Sequence, residues 1–107
     1  MTTFDDRERG EETKFKHELE LGFKVRNRRN KLFGLWVAQT YLGLAGDEAV
    51  SYAKDVVMAD FELPGDHDMI AKVQADLVKA GHTVTDHHLE KELKALETAA
   101  RQQVMAE

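Results

Sequence analysis

The chain has 107 residues, a formal net charge of −5 and 33% charged residues, the size and composition of one soluble globular domain. It has no cysteine, which excludes disulfides, thiol catalysis and thiolate metal sites and fits a reducing compartment. No apolar run approaches the roughly 18 residues that span a bilayer, and the acidic opening MTTFDDRERGEE lacks the basic-then-apolar pattern of a secretory signal; the expectation is a cytoplasmic protein without membrane insertion.

One proline and no alternating strand pattern leave helix as the organising element. Gly43 and Gly46, Pro64-Gly65, and Gly81 divide the chain into four segments with a helical period. The first is expected from about Phe15 to Leu42, its apolar arc holding Leu19, Leu21, Phe23, Val25, Leu32, Phe33, Trp36, Val37 and Tyr41. The second runs from about Asp47 to Glu62, with Ala49, Tyr52, Ala53, Val56 and Val57 inward. The third begins near Asp66, brings Ile70, Val73, Leu77 and Val78 into phase, and stops at Gly81. The fourth places Leu89, Leu93, Leu96, Ala100 and Val104 three and four apart, with Thr85 as N-cap and Val84 stapled onto Leu89. Four amphipathic segments joined by short turns imply an all-α four-helix bundle. The whole chain, 1–107, reads as a single domain, with a bundle over 19–107 and a mobile segment over 1–18. That N-terminal stretch is too polar to fold alone and must project or fray. The expected state is a monomer.

The stretch KVRNRRNKLFGLW, residues 24–36, packs five cations into its first eight positions beside the only tryptophan. The helical wheel sorts them. Lys24, Arg28 and Lys31 share the polar side, whereas Arg26 and Arg29 fall within the apolar arc. Arg29, Phe33 and Trp36 form one row, and Arg26, Asn30, Phe33 and Val37 the next. An arginine in an apolar arc needs a partner, because a buried unpaired charge is very costly. One solution is a carboxylate from another helix, with Asp55, Asp60 and Asp76 as candidates. Another is an anion site, in which guanidinium forks take phosphate and the indole face takes a purine. A third is snorkelling into solvent. Nucleic acid is disfavoured by the short patch and the sequence pI of 5.5, and a membrane surface by the acidic flank of residues 5–20.

The histidines are His17, His67, His82, His87 and His88. DHD at 66–68 and DHH at 86–88 stand at predicted helix starts, where acids satisfy free amides and the helix dipole. His88 and Glu92 are i, i+4, but no second pair stands at metal-ligand spacing. There is no phosphate-binding glycine loop and no serine–histidine–acid arrangement, so the chain reads as a non-enzyme with no required cofactor.

FDDRER at 4–9, KFKHELELGFK at 14–24, RRNKLFGLW at 28–36 and EAVSYAKDVVMADFELPGD at 48–66 occur in that order. Together they resemble the alpha-proteobacterial ATPase inhibitor zeta subunit family, over nearly the whole chain. The resemblance implies a four-helix bundle with a mobile N-terminal segment that regulates the F-type ATP synthase. It implies that this segment folds as a helix into a catalytic interface and blocks ATP hydrolysis while sparing synthesis more. Carried onto this sequence, the partner-binding residues are Phe4, Asp5, Asp6, Arg7, Glu8, Arg9, Lys14 and Phe15. The resemblance also implies a weak ADP/ATP site on the bundle, for which Arg26, Arg29, Phe33 and Trp36 are the candidates. The alternative is a nucleotide-responsive helical sensor or adaptor without strong inhibition.

Two departures from the family pattern stand out. After DRER the family usually continues with alanine, a large apolar residue and an acid, where this chain has Gly10, Glu11 and Glu12. Gly10 costs about 1 kcal/mol of helix stability relative to alanine, and Glu11 replaces an apolar anchor with a charge. Ala45 stands where a capping hydroxyl is usual, a loss of about 1 kcal/mol.

Overall fold

A computed structural model describes the backbone of residues 3–62 and 65–107 and the side chains of residues 17–60 and 65–107. Among the described residues all regular structure is helical, as the periodicity requires: α1 Thr3–Thr40, α2 Gly46–Glu62, α3 His67–Lys79 and α4 Asp86–Met105. Helix α1 packs most extensively on α2 and α4, α2 packs on α3, and α3 and α4 meet more sparingly.

The main core joins Phe33 and Val37 of α1, Val56 of α2, Met69, Ile70, Val73 and Leu77 of α3, and Leu89 and Leu93 of α4. A second, smaller cluster sets Val25 against Ala100 and Val104 of α4, flanked by Leu21 and Leu32. At Gly34, α1 comes close to the α2 backbone. A Cβ there would lie 2.7 Å from the Ala53 Cα and 3.2 Å from the Val56 Cβ, so only hydrogen fits.

The predicted caps form. The Thr85 hydroxyl accepts the His88 amide at 3.1 Å, and Val84 packs against the core that contains Leu89. Gly81, at φ +87°, closes α3. The Gly81 amide donates to the Val78 carbonyl and the His82 amide to the Leu77 carbonyl, at 3.0 and 2.9 Å, which satisfies carbonyls the helix leaves open. At the start of α2, Asp47 and Glu48 stand in the first turn and place negative charge against the dipole.

Three expectations are corrected. Helix α1 begins at Thr3, not near Phe15, and runs through Gly10 without a break. Periodicity reports burial, and the apolar arc ends before the helix does, so the sequence pattern leaves the upstream helical backbone unmarked. Leu19 and Phe23 are 60% and 57% exposed rather than inward. Their phase continues the arc in sequence, but these two side chains stay largely open to solvent. Val78 is also exposed, because α3 buries the Met69–Ile70–Val73–Leu77 face instead.

The length difference shapes the molecule. With 38 residues α1 is about 57 Å long and α4, with 20, about 30 Å, at 1.5 Å per residue. Arg28 contacts Gln103 and Glu107 at the end of α4, and Arg26 contacts Asp60 near the end of α2. The bundle therefore finishes close to residues 21–28 of α1. Residues 17–20 are all exposed, and the N-terminal part of α1 continues outward along the 65 Å long axis.

Candidate functional site

The basic stretch divides into three environments. Lys24 and Lys31 are exposed. Arg28, expected to be solvated with them, instead donates to the Gln103 side-chain oxygen Oε1 at 3.0 Å and pairs with Glu107. The C-terminal turn of α4 is thereby tied to the polar side of α1.

Arg26 and Arg29 find carboxylates from other elements. Arg26 donates from Nε and Nη2 to the two oxygens of Asp60, at 2.8 and 3.1 Å. Asn30 Nδ2 donates to the same Asp60 at 2.7 Å, and Arg29 Nε donates to the Asn30 oxygen at 3.0 Å. The remaining Arg29 nitrogens fork onto Asp66 at 2.6 and 3.3 Å. One polar chain thus joins α1, the end of α2 and the start of α3. Arg29, Asn30 and Asp60 are buried, and among the described residues every buried side-chain nitrogen and oxygen has a partner. The hydrogen bond to Asp60, opposed by partial loss of hydration, holds the Arg26 guanidinium above its ordinary pKa.

The carboxylate solution was legible for Asp60. Asp66 was hidden by its place at a helix start, where an acid is explained by capping. Asn30, one residue from Arg29, faces the partner that unites the two rows. Of the other named acids, Asp76 accepts from the Tyr52 hydroxyl at 2.9 Å and from Lys72 at 3.0 Å, and Asp55 lies on the rim of a shallow cleft with Met58 and Lys72. Burial, together with the hydrogen bond to Asp76, raises the Tyr52 pKa well above its ordinary value.

Two clefts meet at Arg29 and Asp66. One, of about 340 Å³, is lined by Gly22, Val25, Arg26, Arg29, Gly65, Asp66, Glu97 and Arg101. The other, of about 430 Å³, lies between the starts of α3 and α4 and adds His67, Asp86, Glu90 and Lys94. Three guanidiniums line the first, Arg26 among them already paired with Asp60, whereas acids outnumber cations on the second, so the first is the more favourable place for an anion; Arg101 is a contributor that the helical wheel of α1 could not reveal.

Phe33 and Trp36 line neither cleft. Phe33 is wholly buried. Trp36 is half-buried, with ring centroids 6.0 Å from Phe33, 5.4 Å from Tyr41 and 6.0 Å from His88, and His82 stacks edgewise on Tyr41. Thus the fold gathers Arg26 and Arg29 at one opening and sets the aromatic end of their row into the core. The side chains of Phe4, Asp5, Asp6, Arg7, Glu8, Arg9, Lys14 and Phe15 lie outside the described residues; their backbone belongs to α1.

A sequence profile of the family described as ATPase inhibitor subunit zeta matches residues 1–103. The chain belongs to that family. A protein whose structure was determined by solution NMR is 43% identical to it, over 78% of this chain and 94% of that one, with a TM-score of 0.69. Comparison with curated proteins found no match. Membership in the zeta subunit family gives the chain a regulatory, inhibitory role directed at an ATPase. Among the described residues no helix is long and apolar enough to cross a membrane, and no cluster of three or more His, Asp or Glu is arranged to hold a metal ion.

Proposed function

We propose that this chain is a cytoplasmic, non-catalytic inhibitor of ATP hydrolysis by the F-type ATP synthase, acting through residues 1–18. The observation that carries this is the helix that outruns its bundle: α1 is helical from Thr3, whereas its neighbours end near residues 21–28. A helix that projects past its bundle is suited to insertion into a groove of another protein. Phe4 and Phe15 are its large apolar anchors, and Asp5, Asp6, Arg7, Glu8, Arg9 and Lys14 supply the charged contacts. Gly10 and Glu11 weaken this helix, so inhibition is expected to be less potent than in relatives that carry alanine and an apolar residue there.

The test is hydrolysis by the cognate ATPase with full-length protein, with a form lacking residues 1–18, and with the N-terminal peptide. Full-length protein is expected to inhibit and the truncated form to lose that effect. Truncation removes no described core residue, so its folding can be checked independently by Trp36 fluorescence. No inhibition by either the full chain or the peptide would defeat the proposal.

Weak ADP or ATP binding belongs to the same proposal, with Arg26 and Arg29 holding phosphate. The cleft that joins them to Arg101 supports it. Phe33 lies in the core, about one helical turn along α1 from Arg29, and Trp36 sits about one turn further, where it can report on binding without touching the phosphate. The same cleft supports the second reading, a nucleotide-responsive sensor without strong inhibition. Nucleotide-dependent shifts at Arg26 and Arg29 in a chain that leaves hydrolysis unchanged would favour it.

A further inference from the structure

Asp66 is the N-cap residue of α3, yet its side chain makes no capping hydrogen bond. Its backbone lies in the helical region, at φ −93° and ψ 0°, whereas N-cap residues are normally extended. Thr85, in the same position on α4, shows the usual arrangement, with φ −78°, ψ 151° and its hydroxyl accepting an amide. The Asp66 carboxylate is instead committed to the fork of Arg29. The two partners are unequal: the Arg29 side chain is 11% exposed and that of Asp66 is 40% exposed. A largely buried cation is thus neutralised by an acid that reaches solvent, and the acid is the member that can leave.

What could replace it is set by the surroundings. Arg26, Arg29 and Arg101 face the cleft that Asp66 shares with Gly65 and Glu97. With Asp66 withdrawn, Arg29 and Arg101 face Glu97 alone, while Arg26 stays paired with Asp60. A phosphate-type oxyanion offers Arg29 the same bidentate geometry as a carboxylate. The withdrawn carboxylate has a destination, because the first amides of α3 lack partners within the helix.

We infer that Asp66 is a two-position switch: it fills the Arg29 fork in the unliganded protein, and it turns to cap α3 when an oxyanion enters the cleft. This rests on the oxyanion reading of Arg26 and Arg29 given above and concerns its regulation. The resident carboxylate competes with the ligand and keeps binding weak. Capping offsets part of the cost of its displacement. The motion is chiefly a rotation of ψ at Asp66 towards the value seen at Thr85, so occupancy of the cleft is relayed to α3.

The full-length protein, Asp66→Ala, Asp66→Asn and Glu97→Gln are titrated separately with inorganic pyrophosphate and with ADP. NMR follows the Arg29 Nε–Hε signal and the backbone amides of Asp68 and Met69. In the wild type, Arg29 and the two α3 amides are expected to shift together with one midpoint. Asp66→Ala is expected to bind at least fivefold more tightly, with the α3 amides no longer responding. Asp66→Asn, which keeps the shape and a capping oxygen, is expected to gain affinity and retain that response; it serves if the alanine variant does not fold. Glu97→Gln removes the same charge from the same cleft and is expected to gain less than twofold. Equal gains at Asp66 and Glu97 would overturn the switch in favour of plain charge removal. An Arg29 response without one at Asp68 and Met69 would overturn the switch but leave the anion site standing. Silence at Arg29 with both probes in every variant would remove both. Response to both probes, or to ADP alone, supports the switch and distinguishes free phosphate chemistry from a nucleotide.

Discussion

Asp60 is the residue on which the polar chain converges, and Asp60→Ala tests whether that chain holds the bundle together. Its side chain is 5% exposed and accepts from Arg26 twice and from Asn30 once. The substitution strands the Asn30 amide, whose residue is 2% exposed; leaving such a donor unsatisfied costs about 1–3 kcal/mol. Arg26 suffers less, because its side chain is 45% exposed and can rehydrate. Its pair with Asp60, discounted for that solvation, is worth about 0.5–1 kcal/mol. The expected loss is therefore about 1.5–4 kcal/mol, a large share of the roughly 5–15 kcal/mol by which small domains are stable. Urea unfolding followed by Trp36 fluorescence should show a lower midpoint with an unchanged slope. Asp55→Ala, an exposed acid on the same helix, should stay within about 0.5 kcal/mol of wild type. Equal losses at the two positions would refute the idea that the buried chain contributes more than surface charge.

Gly34→Ala should destabilise by about 1–2 kcal/mol net, since overpacking against Ala53 and Val56 outweighs the gain in helix propensity. Gly22→Ala, in the same helix with nothing within 4 Å of the new Cβ, should instead stabilise by up to about 1 kcal/mol; chemical denaturation decides both. Tyr52 has a raised pKa in the folded chain, so the folded state keeps its phenolic proton while the unfolded chain ionises near pH 10. Its contribution is complete below that pH and is lost as pH rises above it. Stability curves for wild type and Tyr52→Phe should therefore diverge in slope above about pH 10, by up to about 1.4 kcal/mol per pH unit for one proton. Thr85→Ala removes the cap of α4 and should cost about 1 kcal/mol, with loss of exchange protection at the His88 amide.

The helices were legible where burial imposed a period. Phe33 and Val37, Ala53 and Val56, Ile70, Val73 and Leu77, and Leu89 and Leu93 all lie in phase and all are buried. The stops were legible where one residue type has one conformational use, as at Gly81 with its left-handed φ of +87°. The beginning of α1 was not, because a solvated helix leaves no apolar trace. Leu19 and Phe23 show the converse error. They continue the arc in sequence, but how far a phase is buried depends on how α2 and α4 lie against α1, which is tertiary information.

The candidate site divides along the same line. That Arg26 and Arg29 required partners followed from their position in the arc, and Asp60 was among the named acids. Asp66 was masked because an aspartate before a helix already has a local explanation. Only the geometry shows that this explanation fails here: Asp66 has an N-cap's position without its backbone or its bond, and Thr85 on α4 has both. Two like positions in one bundle with opposite behaviour mean that local preference at Asp66 has been overridden by the need to neutralise Arg29. The largely buried guanidinium is therefore the constraint and the cap the sacrificed element, which is why a ligand that relieves the first is expected to restore the second.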